Sequence, residues 1–444
     1  MKKLLLSLAL IASFSTINAQ WTSQATGFTD ASRGLSDIRI IDANTVWGLA
    51  YDGSGLGANV QEFTRTTNGG ASWTSGIVDM GNPLLEINNL IPVSASTAWV
   101  SALVPADGFG NVYKTIDGGV SWTQQLATGF QATGSFLNGV YFWNANVGVA
   151  YGDPIGAGLG EFEIFRTTDG GANWTQITAA ALPNPLSGEF GYNSTPTAVG
   201  NTLWFPTNKG RLFRTDDMGV TWVAYQAPLT DFGAALPANS GNVHFSTTTN
   251  GCLLKTSGTV AVPVLTFYTT TNGGQTWSAG ATFTGTRKIL NYIPGTNTIV
   301  ATSQAAPVGT SVSTDNGTTW TDVESAAQRG AAAFLNITTG WCAGFSFDEL
   351  TDGIFKLTGT LGTPTVAAAK FKVYPNPATT TVTIATADVD ATNLSVTDLS
   401  GKVVMTKSLN GIENTIDISN LSTGAYFFEI SSNNKKEVVK ILKN

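Results

Sequence analysis

Short runs of alternating apolar and polar residues, separated by small polar turns, extend through most of the chain. Residues 139–150, Gly-Val-Tyr-Phe-Trp-Asn-Ala-Asn-Val-Gly-Val-Ala, place one apolar run before a polar turn and a second run after it, and residues 38–50 and 333–344 repeat this arrangement. Runs of this length predict pairs of short β-strands joined by tight turns. No convincing long helix remains after residue 20, so the pattern predicts an all-β protein.

An eight-residue pattern, Ser/Thr-x-Asp/Asn-x-Gly-x-x-Trp, occurs six times, and its tryptophans lie 49, 52, 48, 55 and 43 residues apart. That interval is the period of a four-stranded propeller blade. The short Asp or Asn side chain can bond to backbone N–H groups two residues on, the glycine permits a left-handed turn, and the tryptophan buries a large face. We therefore expect a structural role for these positions: Asn68, Gly70, Trp73, Asp117, Gly119, Trp122, Asp169, Gly171, Trp174, Asp217, Gly219, Trp222, Asn272, Gly274, Trp277, Asp315, Gly317 and Trp320.

The pattern resembles the Asp-box, or BNR, repeat of sialidases, some glycoside hydrolases, sortilin-like receptors and the photosystem II stability and assembly factors. The last of these families is the most similar, because each unit pairs the box with an upstream phrase such as residues 139–150. The resemblance implies a β-propeller whose boxes join the third and fourth strands of each blade. It also implies that ligands bind on the face opposite the boxes.

Two segments without a box complete the count of blades. Residues 21–28, Trp-Thr-Ser-Gln-Ala-Thr-Gly-Phe, resemble residues 122–130, and Trp21 precedes Trp73 by one full period of 52 residues. Residues 353–357, Gly-Ile-Phe-Lys-Leu, resemble the third-strand segments of other units. We predict seven blades over residues 20–357, with the N-terminal strand closing the last one, and six blades as the alternative.

The first 19 residues combine Lys2 and Lys3 with an apolar run and predict a secretory signal peptide, 1–19. No later segment is long enough to cross a bilayer. A formal net charge of −7 without a basic stripe argues against nucleic acid as a partner. Cys252 and Cys342 fall in blades that are not neighbours, so we expect two buried free thiols.

The composition changes near residue 358, where 358–369 reads as a linker before a second domain, 370–444, with seven strand-like runs. These runs predict a small Ig-like β-sandwich. Four motifs in this domain resemble the type IX secretion sorting domain, or Por secretion tail, of Bacteroidetes; their residues include Pro375, Asn376, Pro377, Gly401, Gly424 and Tyr426. The resemblance implies the type IX machinery as a partner and a secreted or cell-surface protein.

Three of the eight arginines, Arg33, Arg287 and Arg329, follow Trp21, Trp277 and Trp320 by 12, 10 and 9 residues. These offsets predict a cluster at the channel mouth that binds an anion, such that Arg287→Ala would leave folding intact and weaken an anionic ligand. The alternative is that each arginine pairs with a local carboxylate such as Asp30, Asp37, Asp322 or Glu324.

Loop carboxylates at Asp52, Asp153, Glu189, Asp348 and Glu349 could serve a glycosidase, although turn-forming acids are the simpler interpretation. The Arg-Ile-Pro motif that sialidases usually carry is missing from the sequence. The single histidine, His244, cannot form a metal cluster or a Ser-His-Asp set. We expect no metal and no cofactor.

These observations predict a binding or scaffold module for a glycan, an acidic polymer or a protein partner. The alternative is a glycoside hydrolase or sialidase-like enzyme that acts at the channel mouth.

Overall fold

The structure is a computed structural model of the chain and describes residues 21–54, 56–57, 59–106, 108–126, 129–155, 160–193, 195–235, 239–259, 261–325, 327–344, 353–359, 361, 371–386, 393–399, 401–432 and 435–444. The chain divides into two compact units, Met1–Thr363 and Pro364–Asn444. The predicted signal peptide lies outside the described residues. Within the predicted linker 358–369, Leu361 is buried against the apolar residues of the first unit.

The described residues of the first unit form seven four-stranded antiparallel sheets, and six of them are built from strands that follow one another in the chain. Sheet I contains β2 (Arg33–Ile40), β3 (Val46–Asp52), β4 (Glu62–Thr66) and β5 (Thr74–Ile77). Sheet II contains β6 (Glu86–Pro92), β7 (Ala98–Leu103), β8 (Gly110–Thr115) and β9 (Thr123–Gln124). Sheet III contains β10 (Leu137–Phe142), β11 (Gly148–Pro154), β12 (Phe162–Thr167) and β13 (Thr175–Gln176), followed by a 3-10 turn at Ala179–Ala181.

The remaining sheets repeat this order. Sheet IV contains β14 (Thr197–Val199), β15 (Thr202–Pro206), β16 (Arg211–Thr215) and β17 (Val223–Gln226). Sheet V contains β18 (Ser240–Phe245), β19 (Gly251–Gly258), β20 (Pro263–Thr270) and β21 (Ala281–Thr282). Sheet VI contains β22 (Ile289–Tyr292), β23 (Ile299–Ser303), β24 (Gly309–Ser313) and β25 (Thr321–Glu324). Sheet VII contains β26 (Ala332–Asn336), β27 (Thr339–Ala343), β28 (Ile354–Leu357) and β1 (Trp21–Gln24).

Sheet VII is completed by the N-terminal strand, as the sequence predicts. Strand β1 pairs antiparallel with β28, with Trp21 opposite Leu357 and Gln24 opposite Ile354. The indole of Trp21 donates to Thr310 Oγ1 of sheet VI at 3.0 Å. The first and last segments of the unit therefore share one sheet.

Apolar clusters between neighbouring sheets join the seven sheets into a closed ring. Six clusters join sheets I to VII in order, and a seventh joins sheet VII back to sheet I through Trp341, Ala343 and Ile354 on one side and Leu35 and Val46 on the other. Stacked sheets around a ring form a β-propeller, the predicted fold. The six-blade alternative has one sheet fewer than the seven in the described residues of the first unit.

The second unit is a β-sandwich with seven strands, also as predicted. Its strands are β29 (Phe371–Tyr374), β30 (Thr381–Thr386), β31 (Asn393–Thr397), β32 (Val403–Ser408), β33 (Glu413–Asp417), β34 (Gly424–Ser432) and β35 (Lys435–Lys443). One sheet has the order β29-β30-β33 and the other the order β32-β31-β34-β35. A single apolar cluster that includes Val382, Val396 and Phe428 lies between the two sheets.

Candidate functional site

The six box turns are hydrogen-bonded hairpin staples. In each box the Ser or Thr hydroxyl accepts the N–H of the box glycine at 2.8–3.0 Å and donates to the Asp or Asn side chain at 2.8–2.9 Å. That Asp or Asn accepts a backbone N–H four residues on, at 2.8–3.0 Å, and not two residues on as the sequence suggests. The box glycines have φ of 84–95°, in the left-handed region. The polar groups of the box therefore form their hydrogen bonds within the turn itself.

Two exposed box aspartates show the strength of these bonds. The side chain and backbone of Ser121 lower the pKa of Asp117 to about 2. The backbone and side chain of Asn173 lower the pKa of Asp169 to about 2. Both side chains therefore stay charged as acceptors at any ordinary pH.

Cations on third strands connect four of the six box turns to the preceding sheet, a role that the sequence pattern did not suggest. The ammonium of Lys114 donates to Gly170 O at 2.8 Å, Arg166 Nε donates to Met218 O at 2.8 Å, and Lys356 Nζ donates to Gly69 O at 2.6 Å. Four such cations lie over second-strand tryptophans at 5.0–5.5 Å from the ring centroid: Arg65 on Trp47, Lys114 on Trp99, Arg214 on Trp204 and Lys356 on Trp341. A basic residue directly before the box threonine is the signal that the sequence offered.

The box turns lie on the same face of the ring as the hairpins between first and second strands, and the remaining loops lie on the opposite face. The residue directly before the box glycine donates its N–H to the hairpin that joins the first and second strands, for example from Gly69 N to Asn44 O at 2.9 Å and from Gly170 N to Asn146 O at 2.8 Å. The second-to-third strand loops and the connections between sheets therefore occupy the other face. All three predicted arginines precede a first strand or begin one, so they belong to that face.

Arg287 is enclosed by its own sheet, which corrects the expectation of an open anion site. Only 1% of its surface is exposed, and its guanidinium donates to Val308 O at 3.1 and 2.8 Å and to Glu324 O at 2.9 Å. It also contacts Ser311 Oγ and the carboxylate of Asp322. Each of the three guanidinium nitrogens thus has a hydrogen-bond partner within sheet VI and its loops.

Arg33 and Arg329 are paired in the same way. Arg329 is buried and donates to both carboxylate oxygens of Glu324 at 3.0 and 2.6 Å, while its guanidinium lies 4.0 Å from the ring centroid of Phe355. Arg33 donates to Glu62 at 3.1 and 2.8 Å and to Asp30 at 2.8 Å. The hydrogen bond to Glu62 raises the pKa of Arg33. Local ion pairing, the alternative interpretation, therefore describes all three arginines, and they form no exposed cluster.

The loop carboxylates that the structure describes have separate hydrogen-bond partners. Asp52 accepts from Ser54 in its own turn, and Glu189 is buried and paired with Arg211 and Thr207. Asp153 lies at the end of β11, where burial raises its pKa to about 7. Asp348 and Glu349 lie outside the described residues.

The remaining side chains with reactive groups, one histidine and two cysteines, are each buried. Burial lowers the pKa of His244 to about 4 and raises the pKa of the Cys252 and Cys342 thiols to about 12. Both cysteines are free. Within the described ranges, no three His, Cys, Asp or Glu side chains are grouped as a metal site.

An open groove of about 890 Å³ runs along the outer edge of sheets I and II, and we call it the I/II groove. Strand β5 forms one wall, and the box turn of sheet II forms the other. Ile77 and Val120 line it with 66% and 86% of their surfaces exposed. A smaller groove of about 320 Å³ lies beside the box turns of sheets III and IV, where Val220 occupies the box position equivalent to Val120. The full lining of the I/II groove is Thr29, Asp30, Glu62, Phe63, Arg65, Thr74, Ser75, Gly76, Ile77, Asp79, Gly118, Gly119 and Val120.

In the second unit, the predicted sorting motifs fix the last strand and two turns. Asn376, between Pro375 and Pro377, donates to Lys440 O at 2.8 Å and accepts the N–H of Leu442 at 2.9 Å. Gly401 has a φ of 81° in the turn whose N–H bonds to Asp398 O. Strand β34 begins at Gly424, and the hydroxyl of Tyr426 donates to Ser422 O at 2.8 Å.

Comparison with known proteins agrees with both units. Residues 372–444 match the family described as secretion system C-terminal sorting domain. A structure of YCF48 with bound D1 peptide is similar in fold, at 14% identity and a TM-score of 0.52, over 77% of this chain and 97% of that one. YCF48 from Cyanidioschyzon merolae is similar at 17% identity and a TM-score of 0.50, over 77% and 99%. No curated protein sequence matches the chain.

Since YCF48 is a photosystem II assembly factor, the predicted likeness to that type of propeller is confirmed at the level of fold. The sorting domain indicates export by the type IX secretion system to the cell surface or the extracellular space. Among the described residues, no helix has the length and apolar character needed to span a membrane. The chain is a β-propeller protein that carries a C-terminal sorting domain of the type IX secretion system.

Proposed function

We propose that the propeller is an exported binding module and that its I/II groove holds an extended polypeptide partner with alternating apolar and basic residues. The observation that carries this proposal is the groove itself, where two large apolar side chains are exposed beside an open strand edge. An acidic polymer, one of the ligands that the sequence suggested, loses its support because the three arginines are engaged in internal ion pairs.

The edge of the groove suits pairing with an added strand. Strand β5 is the outermost strand of sheet I and has four residues without charge, as do β17 of sheet IV and β1 of sheet VII, whereas β9, β13 and β21 have two residues each. Natural sheets usually protect such an edge with charge, proline or shortness. An uncharged edge of this length can accept an extended peptide by main-chain hydrogen bonds.

The charge of the groove indicates the partner's composition. Its lining contains Asp30, Glu62 and Asp79 against the single cation Arg65, and Arg65 is already held over Trp47. Arg33 offsets part of the negative charge through Glu62 and Asp30. Because acidic side chains remain in excess, basic residues fit the rim while apolar residues contact Ile77 and Val120.

The fold relative YCF48 has been solved with a peptide, and this supports only the capacity of such a propeller to hold one.

Fluorescence anisotropy with two labelled peptides of about eight residues tests the proposal, because that length extends past β5 at ~3.3 Å per residue. One peptide alternates valine with lysine, and the other alternates valine with glutamate. We expect the basic peptide to bind the full chain more tightly than the acidic one. Equal affinity, or binding of neither peptide, would contradict the proposal.

Two matched variants locate the site. Val120→Lys places a like charge in the I/II groove and removes an apolar contact, so it should weaken the basic peptide about tenfold or more. Val220→Lys makes the same change at the equivalent box position of sheet IV and should leave the affinity unchanged. Similar losses in both variants would place the peptide elsewhere.

The alternative of a glycoside hydrolase rests on Asp153, because a carboxyl group with a pKa of about 7 can act as an acid catalyst. Its carboxylate neighbour Glu163 is only 4% exposed, so a polymeric substrate could not contact that residue. Tyr192, which bonds to Asp231, has a raised pKa, the opposite of what a tyrosine nucleophile needs. We therefore favour binding over hydrolysis.

A further inference from the structure

Sheet III contains two β-bulges that lie side by side on adjacent strands. The register of β10 with β11 skips Asn138, and the register of β11 with β12 skips Asp153. A bulge places two residues opposite one and re-aims a side chain. Asp153 is thus the extra residue of β11, between the pair Gly152–Glu163 and the pair Pro154–Phe162.

The re-aimed side chains form an acidic, oxygen-rich group. Asp153 interacts with the charge of Glu163 and with the side chain of Asn138, and Glu163 interacts with Ser135. Burial is the main cause of the raised pKa of both carboxyl groups, and their mutual repulsion adds to it for Asp153. Neither carboxyl group has an arginine or lysine among the interactions that set its pKa.

Two of these oxygens are buried and lack a hydrogen-bond partner. Glu163 Oε2 and Asn138 Oδ1 make no hydrogen bond, although their residues are 4% and 1% exposed. The hydroxyl of Ser135, which interacts with Glu163, is buried as well. Asp153 is better satisfied, since Oδ1 accepts the N–H of Gly191 at 2.8 Å. Buried oxygens without partners cost free energy unless another group satisfies them.

We propose that Asp153, Glu163, Asn138 and Ser135 form a Ca²⁺ site on the loop face of sheet III. Carboxylate, amide and hydroxyl oxygens are the ligands that this cation takes, and its charge would neutralise the carboxylate pair. If each side chain binds through one oxygen, the four supply fewer than the six to eight oxygens that Ca²⁺ takes, so water molecules complete the shell. We expect a dissociation constant on the order of 10⁻⁴–10⁻³ M, as in extracellular modules.

Isothermal titration of the full chain with CaCl₂ at pH 7.5, after treatment with EDTA, tests the site. We expect one Ca²⁺ per chain and a rise in the melting temperature with CaCl₂ concentration, because a ligand of the folded state stabilises it. MgCl₂ should have a weaker effect, since Mg²⁺ demands near-ideal octahedral geometry. No heat of binding and no change in melting temperature up to 10 mM CaCl₂, on the order of ten times the weakest expected constant, would overturn the proposal.

Variants separate a cation site from a buried acid pair. Asp153→Asn and Asn138→Ala should each weaken Ca²⁺ at least about tenfold and remove the calcium-dependent rise in melting temperature. Asp79→Asn, which changes an exposed loop acid outside this group, should leave both unchanged. If Asp153→Asn stabilises the chain in EDTA while the parent chain does not respond to CaCl₂, the oxygens hold protons and the proposal is wrong.

Discussion

Replacing Arg287 by alanine should destabilise the propeller strongly, in contrast to what its sequence position suggests. The change leaves the carbonyls of Val308 and Glu324 without the donors that now lie 2.8–3.1 Å away, inside a site that is 1% exposed. Asp322 loses its ion-pair partner but keeps the hydrogen bond from Ser311, and about half of its side chain is exposed, so water can replace the guanidinium. Breaking a buried pair of this kind costs about 3–5 kcal/mol, and we expect a loss near the lower end, ~3 kcal/mol.

Urea unfolding followed by tryptophan fluorescence measures this loss. All 12 tryptophans lie between residues 21 and 341, so the signal reports the propeller and not the sorting domain. Arg39→Ala is the matched control, because Arg39 is more exposed than Arg287 and its ion-pair partner is Asp37. We expect it to cost less than ~1 kcal/mol.

A loss below ~1 kcal/mol for Arg287→Ala would refute the interpretation that this arginine is a structural residue. In that case an open anion site would regain support.

Two further outcomes follow from single contacts. His244 is the only histidine, and burial lowers its pKa to about 4. Its contribution to the free energy of unfolding is complete above pH ~6.5 and is lost as the pH falls through about 4. His244→Gln should therefore reduce the loss of stability between pH 7 and pH 4 by ~1–3 kcal/mol, and an unchanged pH profile would contradict the burial argument. Lys114→Met removes the hydrogen bond to Gly170 O and the contact with Trp99, and it should lower the free energy of unfolding by about 1–2 kcal/mol in the urea assay. Lys288→Met, at an exposed lysine, should lower it by almost nothing. Equal effects would contradict the role of these cations between sheets.

The architecture could be predicted because its signals are local and repeated. Each box is a turn whose bonds span four residues, so the residue types alone identify it. The pairing of β1 with β28 joins distant segments, but both copy strands found elsewhere in the chain, and this made the match visible. The sorting domain was predictable for the same reason, since its turn motifs are short.

The candidate sites depend on contacts that the sequence does not display. Equivalent offsets place Arg33, Arg287 and Arg329 on one face, yet each guanidinium meets a carboxylate. Glu62, the partner of Arg33, lies on β4, and the partners of Arg287 and Arg329 both lie on β25. The group around Asp153 depends on two bulges, and one skipped residue in a register cannot be read from alternation alone. The sequence shows a cation directly before four of the boxes, but the backbone carbonyl groups that these cations bond to belong to the next sheet.

Closure of the ring by the N-terminal strand is the central claim, and hydrogen exchange of residues 21–24 in the full chain tests it most directly. About half of the amides in this strand face β28, and pairing should slow their exchange to the range of β27 in the same sheet. Slow exchange of a peptide that contains Trp21 and Gln24 is the predicted result. Exchange of every amide in that peptide as fast as in an unpaired tail would contradict the account.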